Sequence, residues 1–403
     1  MLNFYLNIPT KILFGKNEEQ NIGKLIKPYA TSVLIHYGSD RIEKNGLLQT
    51  VINSLVNENI PYLLLSGVVP NPRIDKVYEG IKLCKENNID HIIAIGGGSV
   101  IDSAKAIALG AVIESDVWDY YFIKRNKANK SLKVSTILTI PAAGSEGSNS
   151  TVITNLVEMR KIGYNSDQVR PFLSIINPTF FYTLKEHDFS SGVFDMMSHI
   201  FERYFTNTMN NDLTDSLCES TLKAIIKHAK IVYDMLYSKK TIVDENILYD
   251  SMSQLALSST IAHNGILGIG REQDWACHQI EHDLSAMFDI THGLGLAIIT
   301  PAWMKYVYAT NKDIFLKFAI NVMEVKLNNK NPDLTIMQAI VRLKKFCKYI
   351  GLFTKLSQIK IDYNILSTLA NNACKDFNLG TRTIGGLKKL NANDVLEILK
   401  FAY

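Results

Sequence analysis

The spacing of hydrophobic positions changes about halfway along the chain. In the first half, short unbroken apolar runs alternate with stretches in which apolar residues recur every three or four positions. Ser32–Tyr37 (SVLIHY), Tyr62–Gly67, His91–Ile95 (HIIAI), Val134–Ile140 and Phe172–Ile176 read as strands, with a brief one earlier at Lys11–Phe14. Arg41–Asn57 and Pro72–Asn87 read as helices between them. Continuous Val/Ile/Leu strands separated by helices point to a parallel sheet covered on both faces. From about Leu184 the pattern turns to long helical segments with little β character, and Asn328-Asn329-Lys330-Asn331-Pro332 marks a loop among them. The expected architecture is α/β + all-α: an α/β domain over residues 1–183, then a helical domain over 184–403.

Composition narrows the class without naming a function. A length of 403 residues is enough for a sizeable core in each domain, and 47% apolar with 20% charged residues is ordinary for a globular protein. A net charge of +4 with interspersed signs gives no basic stripe, so nucleic acid is not an expected partner. The five cysteines are scattered with no CxxC spacing, which suggests reduced thiols and a cytoplasmic setting. The N-terminus lacks the basic and apolar regions of a signal peptide, and no apolar run is long enough to span a membrane.

The candidate chemistry concentrates in Gln273–Pro301 (QDWACHQIEHDLSAMFDITHGLGLAIITP), which holds three of the nine histidines. His278 and His282 stand four apart with no Gly or Pro between Trp275 and Thr291, so a helix would project both rings from one face. A loop at Asp289-Ile290-Thr291 would return His292 to the same place. Upstream, Asp195 and His199 in GVFDMMSHIFERYF repeat the spacing. A single pair of this kind is more often a surface pair or a hydrogen-bonded core pair than a metal site. Two pairs on mostly apolar helices differ, because burying unpartnered polar rings costs about 1–3 kcal/mol each. A shared divalent cation removes that cost. Cys277, beside His278, points elsewhere on a helix and reads as packing.

A second feature is the glycine run after HIIAI. Gly96, Gly97 and Gly98 let a backbone turn sharply and come close to a ligand, and Ser99 with Asp102 three residues later reads as a helix N-terminal cap. GGGSxxD is not the GxGxxG fingerprint, so on its own it is equally a tight connection or a phosphate cradle. After a buried strand, with Gly38 ending a second one, it becomes a candidate dinucleotide site. The small and hydroxylated residues of Thr136–Ser150 either pass close to a cofactor or form a purely structural loop.

IPTKILFGK, LSGVVPNPRI, AIGGGSVIDSAKAIA, ILTIPAAGSE, FDMMSHIFERYF, DWACHQIEHDLSAMFDITHGLGLAIITP and TIGGLKKLNANDVLEI resemble the iron-containing (group III) alcohol dehydrogenases, in particular the butanol dehydrogenase and aldehyde reductase branch. The resemblance runs from Asn3 to Tyr403. It implies a dehydroquinate synthase-like fold, with a Rossmann-like domain binding NAD(P) and a helical metal-binding domain, and it implies a homodimer. It places the metal ligands on Asp195, His199, His278 and His292, with His282 beside the metal. It places nucleotide contacts on Gly97, Gly98 and Ser99, on Asp102 near the nicotinamide, on Thr139 and Ser145, and on Lys161 near the ribose. Ala143 stands where the family commonly has Thr, and Gly38-Ser39-Asp40-Arg41 departs from the glycine-rich pattern of NADP-type members.

The resemblance implies hydride transfer between NADH or NADPH and a short-chain primary alcohol or aldehyde. One carboxylate and three neutral imidazoles leave a divalent cation at a net charge of about +1. Four protein ligands plus a substrate oxygen suit five- or six-coordinate Fe(II), with Zn as the substitute favoured by affinity alone. His282 is the candidate proton relay or, equally, a hydrogen-bonding support. Asp40 would accept from a ribose 2′-hydroxyl and repel a 2′-phosphate, whereas Arg41 would pair with that phosphate; alternatively both cap the following helix. Rival classes are a metal- and NAD-dependent lyase or cyclase on the same scaffold, and a metallohydrolase without nucleotide. The first expects a Lys/Arg-rich pocket, whereas the segments flanking the ligands are apolar; the second leaves GGGSVID without a purpose.

Overall fold

Each apolar run of the first half becomes a strand, and the inner strands leave water on both faces while the edge strands at Lys11–Phe14 and Tyr62–Leu65 stay partly exposed. In the computed structural model these are β1 (Lys11–Phe14), β2 (Val33–Tyr37), β3 (Tyr62–Leu65), β4 (His91–Gly96), β5 (Lys133–Leu138) and β8 (Leu173–Ile176). All pair in parallel, in the order β1-β8-β5-β4-β2-β3. The structure describes residues 1–121, 128–238, 240–376 and 380–403. By its contacts the chain divides into compact units, Asn7–Thr183 and Met1–Leu6 with Leu184–Tyr403.

In the first unit, α1 (Ile22–Ile26), α2 (Arg41–Lys44), α3 (Leu47–Asn57), α4 (Ile74–Glu86), α5 (Gly98–Gly110) and α6 (Val117–Tyr121) connect the strands. One face of the sheet packs Val33, Ile35, Ile93, Ile95 and Ile175 against Ile22, Ile26, Val51 and Leu55. Each such side chain, taken fully out of water, contributes about 1.5–3 kcal/mol. The single helix expected over Arg41–Asn57 is two helices, because Gly46 takes φ 80 and starts α3 afresh. An antiparallel hairpin, β6 (Ser150–Asn155) with β7 (Arg160–Asn165), lies outside the parallel sheet and was not expected. Its turn contains no Gly or Pro; the Asn155 side chain instead accepts from the Val157 and Glu158 N–H groups, and Met159 takes φ 52.

The second unit is helical: α7 (Glu186–Tyr204), α8 (Asp212–Leu236), α9 (Glu245–His263), α10 (Ala276–Phe288), α11 (His292–Val307), α12 (Lys312–Lys317), α13 (Pro332–Tyr349), α14 (Leu366–Ala373) and α15 (Ala392–Ala402), with a two-residue strand pair at Lys375–Asp376 and Gly380–Thr381. Pro332 opens α13, where its missing N–H costs nothing. Helices α7 and α11 approach unusually closely at Gly293, where an added Cβ would fall 1.9 Å from the Ser191 carbonyl oxygen. No helix among the described residues is long and apolar enough to cross a membrane.

Candidate active site

Helices α7, α10 and α11 each bring titratable side chains to one place. Asp195 and His199 lie one turn apart on α7, and His199 Nε2 stands 3.4 Å from Asp195 Oδ1. His278 sits in the first turn of α10, and His292 is the first residue of α11 after the turn at Asp289–Thr291. His292 Nε2 lies 3.9 Å from the same Asp195 oxygen, and ligand atoms of Asp195, His278 and His292 all lie within 4.8 Å of one another. Donors about 2.1 Å from a shared ion stand roughly 3.0–3.5 Å apart, so this separation fits a divalent cation after small side-chain adjustments. His199 lies beside this group of three rather than within it. Its ring packs 4.6 Å from that of His278. Burial, reinforced by the positive potential of His278 and Arg203, pushes His199 well below the ordinary imidazole range, so it is held neutral, as a metal ligand must be.

The ring nitrogens turned away from Asp195 are occupied as well. His278 Nδ1 lies 2.9 Å from Glu202 Oε1, which also accepts the His278 backbone N–H at 3.0 Å. Burial pushes the Glu202 carboxyl up to about 7, opposed by the backbone N–H groups of His278, Trp275 and Cys277. His292 Nδ1 meets the fully buried Glu281 carboxylate. His199 Nδ1 lies 2.7 Å from Nδ1 of His263, the last residue of α9.

The start of α10 is fixed by Asp274, whose carboxylate accepts from the N–H groups of Ala276, Gly386 and Leu387. Trp275 then takes φ 66, a conformation costly for an aromatic residue, which sets its ring 5.1 Å from that of His278 and 5.8 Å from that of His199. His282, half-buried one turn beyond His278, has its ring 6.4 Å from His278 and 5.6 Å from His292. With Glu281 and His292 it forms a second group of donors within 4.8 Å. Cys277 is buried and burial pushes its thiol far up, so packing is its role.

In the first unit, the nucleotide candidates gather at the C-terminal edge of the sheet. Strand β2 has β3 on one side and β4 on the other, so the chain reverses direction across the sheet between β2 and β4, where α/β sheets bind ligands. Gly38, Ser39 and Asp40 follow β2; Gly97, Gly98 and Ser99 follow β4. Thr139 follows β5 and donates its N–H to Gly96 O. The cap expected from Ser99 and Asp102 does not form: Gly97 is the N-cap and offers no side chain, leaving the end of this 13-residue helix suited to an anion. Nor do the glycines serve a left-handed turn. Gly97 has φ −88, and Gly96 is needed for space, since a Cβ there would lie 2.4 Å from Val100.

Asp102 turns instead towards the loop after β5. Its oxygens accept from Ser145 Oγ at 2.6 Å and the Val152 N–H at 3.0 Å. Lys105, fully buried, donates into the same loop, with Ser145 O and Oγ, Ser148 O and Oγ and Ser150 O all within 3.2 Å of Nζ. Burial lowers the Lys105 ammonium to about 8, opposed by Asp102 and Glu146. Burial raises the Asp102 carboxyl above the usual carboxylate range, opposed by Lys105, by the Ser145 and Val152 hydrogen bonds and by Lys161, which is buried on β7. Asp40 is the N-cap residue of α2, but its side chain accepts no capping hydrogen bond; it is exposed and paired with Lys44 at 2.5 Å, and the Arg41 guanidinium reaches Thr139 O at 3.5 Å.

Glu202, His263, Trp275, Glu281 and Lys105 are the neighbours that the sequence did not single out. Glu202 is three residues after His199 and Glu281 three after His278, spacings that put each on the helix face of a candidate ligand. His263 carries no such signal, because it comes from a helix with no other donor in this cluster.

The family model "Iron-containing alcohol dehydrogenase" matches residues 9–178, and that of the C-terminal domain of the Fe-containing alcohol dehydrogenase family matches residues 189–403. The chain is 40% identical over 407 residues to NADH-dependent butanol dehydrogenase A of Clostridium acetobutylicum, covering 100% of both chains. It is 30% identical to the NADPH-dependent aldehyde reductase YqhD of Escherichia coli over 92% of each. The crystal structure of NADH-dependent butanol dehydrogenase A from Thermotoga maritima superposes with a TM-score of 0.93 at 36% identity, over 100% of this chain and 99% of that one. With both halves matched end to end and the parallel sheet and helical unit shared, the chain belongs to the iron-containing alcohol dehydrogenase family.

Proposed function

We propose that the protein is a metal-dependent, NAD(P)-linked alcohol dehydrogenase and aldehyde reductase acting on short-chain primary alcohols and aldehydes of the butanol/butanal type. The observation that carries this reading is the meeting of Asp195, His278 and His292 from separate helices, with His199 beside them. When bound, a divalent cation supplies Lewis acidity to a carbonyl oxygen, and the nicotinamide supplies or receives the hydride. Asp195, His199, His278 and His292 would hold the cation, Fe(II) by preference with Zn as its substitute. Gly97, Gly98 and Ser99 would take the pyrophosphate on the open N-terminus of α5, with Gly38, Ser39 and Asp40 towards the adenosine ribose. Thr139, Ser145 and Lys161 would line the cofactor. Asp102 would act through Ser145, whose hydroxyl it holds. The working form proposed is a cytoplasmic homodimer.

An aliphatic substrate is favoured by the state of Arg203, whose charge acts on His199. Arg203 is buried, donates to His199 O at 2.6 Å and lies over the Trp275 ring at 4.8 Å, so it is already engaged and not poised for an acidic substrate. That argues against the lyase or cyclase alternative. His282, flanking both His278 and His292, is placed to hold or move the proton that the product alcohol gains. The carboxylate of Asp40 at the end of β2 favours NADH. The deciding experiment offers the Fe(II)-loaded protein butanal with NADH or NADPH and follows loss of the reduced nicotinamide by absorbance. Turnover that disappears on chelation while NADH still binds supports the reading; full turnover without metal, or no nucleotide binding, overturns it.

A further inference from the structure

The three imidazoles proposed as ligands are held in the same way although they lie on three different helices. Each has its Nδ1 against a buried or half-buried side chain from another position: Glu202 for His278, Glu281 for His292 and His263 for His199. In His199 and His292 it is Nε2 that faces Asp195, at Nε2–Oδ1 distances of 3.4 and 3.9 Å. The His263 Nδ1 lies nearer His199 Nδ1, at 2.7 Å, than its Nε2, at 3.3 Å. A ring nitrogen that donates its proton to one partner leaves the other nitrogen unprotonated for a metal, so the outer partner selects the tautomer and fixes the ring plane.

We propose that Glu202, Glu281 and His263 are the positioning residues of the metal centre, each fixing one ligand imidazole in its Nε2-binding tautomer. The set is mixed. Two partners are carboxylates, which accept the Nδ1 proton and increase the electron donation of His278 and His292. The third is an imidazole, whose Nδ1 accepts from His199 only when its own proton sits on Nε2. His263 therefore orients its ligand without adding negative charge, keeping the site less anionic than three carboxylates would make it. Glu281 is further constrained on its other oxygen by the Ser285 hydroxyl, and Gly295 leaves room for it, since a Cβ there would lie 2.9 Å from Glu281 Oε1. Glu202 is tied by the His278 backbone N–H to the helix that carries its ligand. Glu202 and Glu281 are thus held by contacts beyond the imidazoles they face.

The inference rests on the metal reading above, and the test separates their failures. Metal-free protein is titrated with Co(II) against a chromophoric chelator, and the visible ligand-field spectrum of the bound ion is recorded. The variants compared are His263→Leu, His263→Gln, Glu281→Leu and Glu281→Gln, with NADH affinity and circular dichroism as controls for folding. His263→Leu and Glu281→Leu are expected to weaken binding about 10–100-fold and shift the spectrum. The Gln variants, which keep an acceptor, should recover part of the loss. Folded Leu variants with wild-type affinity and spectrum would overturn the positioning role and leave the metal reading intact. A wild-type chain that binds no Co(II) would overturn both. Binding of two ions per chain, one of them lost in Glu281→Gln, would show Glu281 to be a direct ligand with His282 and would also overturn the proposal.

Discussion

Lys105 offers the sharpest test of how the loop after β5 is held. Its ammonium can donate three hydrogen bonds, and it is surrounded by five oxygens of Ser145, Ser148 and Ser150 at 2.7–3.2 Å. Hydrogen bonds to a charged group contribute about 1.5–3 kcal/mol each. Against them stands the residual cost of burying the cation: lowering from 10.5 to about 8 corresponds to about 3 kcal/mol at 1.36 kcal/mol per pH unit. Three such bonds less that cost leave about 1.5–6 kcal/mol, a range that brackets the about 3–5 kcal/mol usually lost when one partner of a buried ionic pair is removed. Lys105→Met keeps the length and apolar stem and deletes the donors. It should therefore lower the opening free energy of residues 140–152 by about 3–5 kcal/mol and speed their hydrogen exchange by roughly two to four orders of magnitude, while peptides of β2 and β4 keep wild-type protection. NADH binding should weaken in parallel, because the same loop carries Ser145. Ser145→Ala, which removes one acceptor and one donor to Asp102, should give a smaller loss of about 1–2 kcal/mol. Exchange in Lys105→Met faster by less than tenfold would refute the argument.

Other consequences follow from single contacts. Gly293→Ala would drive a methyl into the Ser191 carbonyl, pushing α11 from α7; a loss of about 1–3 kcal/mol in urea unfolding and weaker metal binding are expected. His36 and His91 are buried and held neutral near 4, mainly by burial, against an ordinary 6.5. The unfolded chain therefore takes up their protons first. Stability is full above about pH 6.5, falls as the pH drops towards 4 by about 3 kcal/mol per histidine, and levels off below, as urea midpoints across that range should show. His282→Gln should flatten one limb of the pH–rate profile; an unchanged profile removes the relay role. Comparing kcat/KM for NADH and NADPH should favour NADH, and Asp40→Ser should narrow the difference.

Much of the fold was legible because burial on both faces leaves an unbroken Val/Ile run, as in β2 and β4. The hairpin β6–β7 was not legible, since one Asn side chain and a non-glycine left-handed residue make its turn. The split of the helix over Arg41–Asn57 hid in plain sight at Asn45-Gly46, where an isolated glycine reads as tolerable until the chain needs φ 80. At the candidate site, the i, i+4 spacings of Asp195 with His199 and of His278 with His282 were legible because helical geometry alone aligns such pairs. The spacing could not reveal that Ser99 and Asp102 form no cap, because Asp102 is claimed by Ser145 and Val152, residues more than forty positions away. His263 was invisible for the same reason: its partner lies 64 residues earlier in the chain.

This division has a physical origin that bears on how the site works. Ligand identity is a local property, written as a turn of helix, whereas ligand orientation is set by groups that only packing brings near. Gly293 admits the Ser191 backbone, Gly295 admits Glu281, and Asp274 ties the first turn of α10 to the Gly386 and Leu387 N–H groups. None of these residues donates to a cation, yet a shift at any of them moves an Nε2 relative to Asp195. Catalytic geometry tolerates about 0.5 Å of error, less than the displacement that a methyl group at Gly293 would force. The chemistry proposed for this centre therefore depends as much on where α7, α10 and α11 touch as on the four proposed ligands they present.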